Sequence, residues 1–532
     1  MAPALVVSGE QCRALGAAGG SGTMTAGAIS RDDTREDAAA SRLVKKVRIS
    51  PSGDAGARLE HPFGVKPIGN YYEDAAHGVV ECRGSGLGRL ACLSDFQLLA
   101  LLNFLTAEDL ARLSESSRAC YIFGRHDELW RTLVLEEMEG AFYIERDWRR
   151  SYIATKYPKW TYPSSGSPVK VQGFYSDLLF QPFYCAAAPI EDSWLAIENI
   201  DRRAAAELTL DKFRSEYEMP NKPVIITGAV DHWQGLHKWT DKYLSDASEG
   251  QTFSAGGFQF PMERYLRYSR SLVDDQPLFI FDKEFVAKVP AFGDEYSVPE
   301  YFQQDFFSLL GADMRPDYRW LIIGPKKSGS SFHVDPNATN AWNSIIRGAK
   351  KWIMFPPEVV PPGVHPSEDG GDVSSPVSLM EWFVTFYSQV RKLPAHLKPL
   401  EGICREGETM FVPHGWWHLV LNIEESIAIT QNFVSAGNLK SVMRFLQEKP
   451  DQVSGCPMER RPLMAGLFRD AMANAEPELF ARVDKELKDE YEKKHRKSKW
   501  EQLVEGGNGK VGADDEPTST SSATFGFGFQ FD

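Results

Sequence analysis

The stretch "SGSSFHVDPNATNAWNSIIRGAKKWIMFPP" (residues 328–357) places His333 and Asp335 two apart, ahead of a run rich in β-branched and aromatic residues. On a strand, residues i and i+2 point to the same side, so this imidazole and this carboxylate project together. Two such donors need a third. For a non-haem Fe(II) centre the expected completion is a second histidine, which leaves other coordination positions open. The stretch "FVPHGWWHLVLNI" (411–423) offers His414 and His418. A helical His-Glu-x-x-His zinc pair is excluded there, because Gly415 stands where the glutamate would be and Pro413 precedes it. His414 falls in a turn between Pro413 and Gly415 and is expected to be a neighbouring or surface group. His418 opens an alternating strand and is the better third ligand. The "HDE" at 126–128 lies in a helical stretch, where i and i+2 diverge, and is a decoy.

Short strand-like runs recur on both sides of this site: "NKPVIITGAVDHW" (221–233), "QPLFIFD" (276–282), "YRWLIIG" (318–324), "KKWIMFP" (350–356), "ETMFVP" (408–413), "WHLVLNI" (417–423) and "SIAITQNF" (426–433). Many short strands separated by turn residues indicate a barrel or sandwich. Residues 357–400 interrupt the series with Pro, Gly and acids before a helix-like "SLMEWFVTFYSQVRK" (378–392). A connection this long is functional or disordered.

At 532 residues, with 42% hydrophobic and 25% charged residues, the chain has room for two or three soluble domains. No apolar run is long enough to span a bilayer. "MAPALVVSGEQCRALGAAGG" (1–20) lacks the basic start of a secretory signal, though an organelle transit peptide stays open. Seven cysteines with no close pair argue for a reducing compartment, and a nuclear or cytoplasmic location is expected. The net charge of −14 argues against broad nucleic-acid binding and suits a basic protein partner.

Residues 1–85, rich in Gly, Ala, Ser and charge, are expected to be disordered, as is the tail 506–532. The basic runs "RLVKKVRIS" (42–50) and "KKHRKSK" (493–499) read as solvated charge, with nuclear import the alternative. Residues 88–140 form a helical module: Ser94 and Asp95 start one helix, Thr106 a second, and "DELWRTLV" (127–134) belongs to another. A domain over 190–440, with a barrel core at about 275–435 and an insertion at 357–400, is followed by helices over 441–505. Those helices pack back on the barrel or support a homo-oligomer.

Two resemblances sharpen this reading. The opening Leu90-x-x-Leu93-Ser94, "DLARLSESSR" (109–118) and "LWRTL" (129–133) resemble an F-box. That likeness implies docking on the Skp-type linker of a cullin–RING ubiquitin ligase. The blocks 221–228, 267–282, 324–357, 405–422 and 426–433 resemble the JmjC family of Fe(II)- and 2-oxoglutarate-dependent oxygenases, in the branch of the bifunctional arginine demethylase and lysyl hydroxylase. The fold implied is mainly β with helical additions: a double-stranded β-helix, the cupin or jelly-roll barrel. The resemblance implies Fe(II) held by His333, Asp335 and His418, with 2-oxoglutarate and O2 as co-substrates. It makes Lys350 the cation for the remote carboxylate of 2-oxoglutarate, Thr430 its hydroxyl partner and Asn343 a pocket-lining residue. Chemistry agrees, since that carboxylate needs a buried cation. Lys351 points to the opposite face of its strand, where solvent is expected. Asn432, two residues beyond Thr430, is expected to support the site.

Phe279 stands where this branch has tyrosine. Loss of one hydrogen bond to a charged group costs ~1.5–3 kcal/mol, so either affinity for 2-oxoglutarate falls or Ser330 or a water compensates. The implied activity is hydroxylation of protein side chains: lysyl hydroxylation, or demethylation of methyl-arginine or methyl-lysine, histones included. The rival readings are a ubiquitin-ligase substrate receptor that uses the barrel for recognition, and a tRNA-modifying hydroxylase, which the acidic charge disfavours.

Overall fold

The chain crosses repeatedly between two sheets, and its turn residues mark the crossings. The structure, a computed structural model, describes residues 59–159, 168–271 and 273–495. The segments 42–50 and 506–532, and most of 493–499, lie outside the described residues. The strands are β1 (Asp201–Ala204), β2 (Val224–Thr227), β3 (Thr252–Ala255), β4 (Phe258–Pro261), β5 (Ile280–Asp282), β6 (Arg319–Gly324), β7 (Gly329–His333), β8 (Asn340–Arg347), β9 (Ala349–Phe355), β10 (His365–Pro366), β11 (Val373–Ser374), β12 (Leu400–Arg405), β13 (Glu408–Val412), β14 (Trp417–Asn422) and β15 (Ser426–Phe433). A nine-stranded sheet has the order β1-β2-β13-β8-β15-β6-β5-β3-β4, and a four-stranded sheet the order β12-β9-β14-β7. Consecutive strands β6 to β9 alternate between the sheets, as do β12 to β15. This is the jelly-roll pattern.

The crossings explain two glycines. Gly348, at φ +81°, is the single residue between β8 and β9, and a Cβ there would lie 2.2 Å from the carbonyl oxygen of Glu425. Gly407, at φ +78°, turns β12 into β13. Both need the left-handed backbone that glycine adopts without penalty.

Each sheet is covered on both faces, so its strands read as apolar runs. Between the sheets lie Ile225, Ile345, Trp352, Met354, Met410 and Ala428. Behind the large sheet, Trp342 and Phe411 stack with Phe302. Behind the small sheet, Phe332 packs at 4.9 Å on Trp382 of the helix Leu379–Lys392. The segment 357–400 is therefore an ordered cover for the small sheet.

Two expectations are corrected here. Lys351 does not reach solvent: it is fully buried, 2.8 Å from Glu401, and donates to the carbonyl of Ile197. Strand parity places it on the outer face, but the Leu379–Lys392 helix and the chain near Ile197 close that face. Residues 59–85 are not disordered over their described length. Val65 is buried, and the backbone of this segment bonds to Phe174 and Gly173 in the stretch after residue 168. It finds backbone partners there that composition does not reveal.

The helical module comprises α1 (Asp95–Leu102), α2 (Ala107–Ser114), α3 (Arg118–Phe123) and α4 (Asp127–Met138). Ser94 and Gln97 form a reciprocal capping box on α1, and Thr106 caps α2. Leu98, Leu110, Phe123 and Trp130 belong to the same continuous core as Phe260 and Tyr268 of the barrel side. Phe96, Leu101 and Phe104 stay exposed. After β15 the chain returns to helix from Leu439.

Candidate metal and co-substrate site

β7 and β14 are antiparallel neighbours, and their register sets His333 directly opposite His418. Their rings lie 4.1 Å apart. Asp335 follows β7 by two residues, and its Oδ1 is 4.0 Å from the Nε2 of each histidine. The three ligand atoms all lie within 4.8 Å of one another. The loop after Asp335 is left-handed at Asn337 and Ala338, an arrangement that survives only when its surroundings hold it. Asn337 exchanges two 3.0 Å bonds with Ser454, and Asn438 donates to the carbonyl of Ala338.

The imidazoles are prepared as ligands. Nδ1 of His333 lies 2.8 Å from the carbonyl of Ser331, and Nδ1 of His418 lies 3.0 Å from that of Trp416. A carbonyl can only accept, so each Nδ1 carries a proton and each Nε2 is the ring nitrogen turned toward Asp335 as the candidate metal ligand. Burial, and then the neighbouring His418, hold His333 well below the usual histidine range, so it is neutral. Oδ2 of Asp335 is buried without a partner among the described residues. A carboxylate oxygen in that position is costly unless a cation meets it. Two imidazoles and one carboxylate are the donor set of a non-haem Fe(II) site.

A second demand lies deeper. Lys350 on β9 is buried between Asn422 of β14 and Cys404 of β12, its partners in register. Its Nζ donates to Oδ1 of Asn422 at 2.7 Å. Burial pushes the ammonium down to about 7. Among the described residues no carboxylate forms an ion pair with it. The cation is therefore placed to receive an anion from outside the chain. Thr430 faces Asn343 across β15 and β8, with its hydroxyl donating to the carbonyl of Trp342. Oδ1 of Asn343 is buried and unpartnered, a second open polar group in the same interior. Ser330 sits opposite Val420 on β7.

Two flanking residues have defined structural roles. Asn432 donates to Thr339 and so braces the loop behind Asp335. It stands in register opposite Ala341, two residues beyond Thr430 on β15. His414 is no surface group: its nitrogens meet Asn340 and Ser441, and burial pushes it down to about 4. It ties its turn to β8 and to the helix from Leu439. Asn422 and Ser328 escaped sequence reasoning. The signal for Asn422 was available, as a polar residue at an inward position of the apolar run "WHLVLN".

Residues 210–437 match the family model for a cupin-like domain. Over 439 residues the chain is 45% identical to the Arginine-specific demethylase JMJ22 of Arabidopsis thaliana, covering 82% of this chain and 85% of that protein. The chain belongs to the cupin-like JmjC family. It is also 37% identical over 298 residues to the Bifunctional arginine demethylase and lysyl-hydroxylase psr-1 of Caenorhabditis elegans, across 53% of this chain and 70% of that one. To the 2-oxoglutarate and iron-dependent oxygenase JMJD4 of Danio rerio it is 28% identical over 285 residues, 48% of this chain and 65% of that one. The iron and 2-oxoglutarate of the family suit the two open demands of the site, a carboxylate oxygen beside two imidazoles and a buried ammonium, neither of them paired among the described residues.

Proposed function

We propose that the protein is a dioxygenase that hydroxylates side chains of a basic protein substrate, removing methyl groups from arginine in the first place, with lysyl hydroxylation as its second capacity. The observation that carries this reading is the His333–Asp335–His418 trio in the same barrel as a buried Lys350 that pairs with no carboxylate among the described residues. His333, Asp335 and His418 would hold Fe(II) and Lys350 the remote end of 2-oxoglutarate, with Thr430 turning its hydroxyl from the Trp342 carbonyl, and Asn343 its amide N–H, toward the same carboxylate. With O2, iron and 2-oxoglutarate would supply an oxidant that hydroxylates a C–H bond, one oxygen atom entering the new hydroxyl and the other the succinate formed as carbon dioxide leaves. An N-methyl carbon so hydroxylated leaves as formaldehyde, whereas a lysyl carbon keeps its hydroxyl. The chain's own tasks are to fix the imidazole tautomers, to compensate the metal charge through Asp335, to present one cation, and to exclude water with the apolar layer around Trp352 and Met410. The names of JMJ22 and psr-1 support the arginine reading, and the net charge of −14 favours basic targets.

Anaerobic titration of the Fe(II)-loaded protein with 2-oxoglutarate is expected to give a metal-to-ligand charge-transfer band. Aerobic incubation with dimethyl-arginine peptides should then release formaldehyde, read alongside peptide mass. Absence of both the band and any 2-oxoglutarate affinity would sink the oxygenase reading. The pH dependence has a definite sign. The free ammonium of Lys350 titrates at about 7, and only its charged form meets a carboxylate. Affinity for 2-oxoglutarate is therefore expected to fall as pH rises above about 7, which binding isotherms across that range check.

A second reading concerns the helical module alone. Phe96, Leu101 and Phe104 form exposed apolar surface on α1 and the turn after it, at the segment that resembles an F-box. Docking of a Skp-type linker there would be lost in Phe104→Asp while peptide oxidation is retained. A wild-type chain that fails to bind the linker at micromolar concentration removes this reading.

A further inference from the structure

Neighbouring lysines on β9 solve the problem of a buried cation in opposite ways. Lys351, on the outer face, is neutralised by Glu401 at 2.8 Å. Lys350, on the inner face, has a neutral partner, Oδ1 of Asn422 at 2.7 Å. The bond to Asn422 constrains direction without consuming charge.

The orientation of Asn422 is fixed by a chain of bonds with one polarity. The Ser328 hydroxyl donates its single hydrogen to the carbonyl of Pro325 at 2.7 Å. Its oxygen can then only accept, and it accepts from Nδ2 of Asn422 at 2.9 Å. With the NH2 end committed to Ser328, the oxygen end must face Lys350. The backbones are coupled as well: Asn422 N–H donates to Ser328 O, and Lys327 N–H to Asn422 O, both at 2.8 Å. There is no slack beside the amide. A Cβ on Gly324 would stand 2.4 Å from Ser328 Oγ, 2.6 Å from Asn422 Nδ2 and 3.1 Å from Cβ of Phe279. Phe279, which brings no hydroxyl, thus backs onto the same few atoms.

We propose that Asn422 is a positioning residue for the co-substrate. Locked by Ser328, it holds the Lys350 ammonium at one point on the pocket wall and leaves two N–H donors and the whole positive charge for the remote carboxylate of 2-oxoglutarate. The relay Pro325–Ser328–Asn422–Lys350 supplies the orientation that a phenol hydroxyl at position 279 would otherwise share. Because Asn422 is neutral, the pocket selects a second carboxylate. An acid at 422 would answer Lys350 from within and make the ligand's carboxylate redundant. This inference rests on the 2-oxoglutarate reading above.

The test uses full-length, Fe(II)-loaded protein under anaerobic conditions with two probes. 2-Oxoglutarate has the remote carboxylate, whereas pyruvate has the same metal-chelating 2-oxo acid end without it. Binding is followed by the charge-transfer band and by calorimetry, so no turnover is needed. Asn422→Asp is expected to weaken 2-oxoglutarate about a hundredfold, since the internal pair removes a full charge-assisted contact, while pyruvate stays within about threefold. Ser328→Ala, which frees the amide to rotate and keeps the fold testable should Asn422→Asp not fold, is expected to weaken 2-oxoglutarate by roughly three- to tenfold, again with pyruvate unmoved. If Ser328→Ala and every folded Asn422 variant bind 2-oxoglutarate like wild type, or if both probes weaken equally, the positioning role is overturned. Wild-type protein that binds pyruvate but not 2-oxoglutarate overturns the co-substrate reading, and wild type that binds neither overturns the metal-site reading as well.

Discussion

Asp335→Ala is expected to lose Fe(II) and to form succinate more than a hundredfold more slowly than wild type, without a loss of metal-free stability. Asp335 is the one anionic member of the trio, so without it a dication would face two imidazoles with no charge compensation. Loss of a residue that merely supports a ligand already costs about 10–100-fold in metal affinity or activity, and loss of a ligand exceeds that range. The stability half follows from Oδ2 of Asp335, which is buried and unpartnered. Its removal takes an unpaired carboxylate out of the interior, so metal-free protein should melt no lower than wild type. Wild type gains melting temperature with Fe(II), whereas the variant should not. His414→Gln is the control. That histidine is bonded to Asn340 and Ser441, and its replacement leaves iron content intact. Iron content, melting with and without metal, and succinate formation check this together. A variant that retains stoichiometric iron, or whose metal-free form melts far below wild type, contradicts the assignment.

Much of this site was legible because period-two parity is a local property. His333 and Asp335 share a side by spacing alone, and His418 opens a strand that register then sets against His333. Lys350 separates from Lys351 on the same rule. Parity gives the face of a strand but not what lies beyond that face. Lys351 was correctly turned outward and wrongly given to solvent, because the helix Leu379–Lys392 covers a sheet that could equally have been bare. Parity also names no bonding partner, and the bond from Asn432 to Thr339 is seen only in the fold. The pairing of Asn422 with Ser328 joins residues far apart in sequence, and only the β6–β7 crossing brings them together. Residues 59–85 show the same limit, since their composition says nothing of the backbone partners near Phe174.

The covered outer face leads to the second large effect. Lys351 and Glu401 form a 2.8 Å pair in which both side chains are almost wholly buried. Tyr387 of the Leu379–Lys392 helix donates its hydroxyl to the same carboxylate at 3.0 Å. Burial lowers the Lys351 ammonium while the Glu401 charge raises it, and burial is the larger effect. The pair thus offsets a desolvation cost more than it adds net stability. Glu401→Leu, which strands the ammonium, is expected to cost about 3–5 kcal/mol. The double replacement Lys351→Met with Glu401→Leu should recover most of that loss, since a well-packed apolar pair of similar volume is often neutral. Urea midpoints for the four members of this cycle measure the coupling. The effect should reach the metal. The helix that carries Tyr387 also seats Trp382 against Phe332, one residue before His333 on β7. Glu401→Leu should therefore loosen iron retention modestly, and the double variant should restore it. An additive cycle, with no recovery of stability in the double variant, would show that the two charges act independently and that the outer cover of the small sheet does not depend on their pairing.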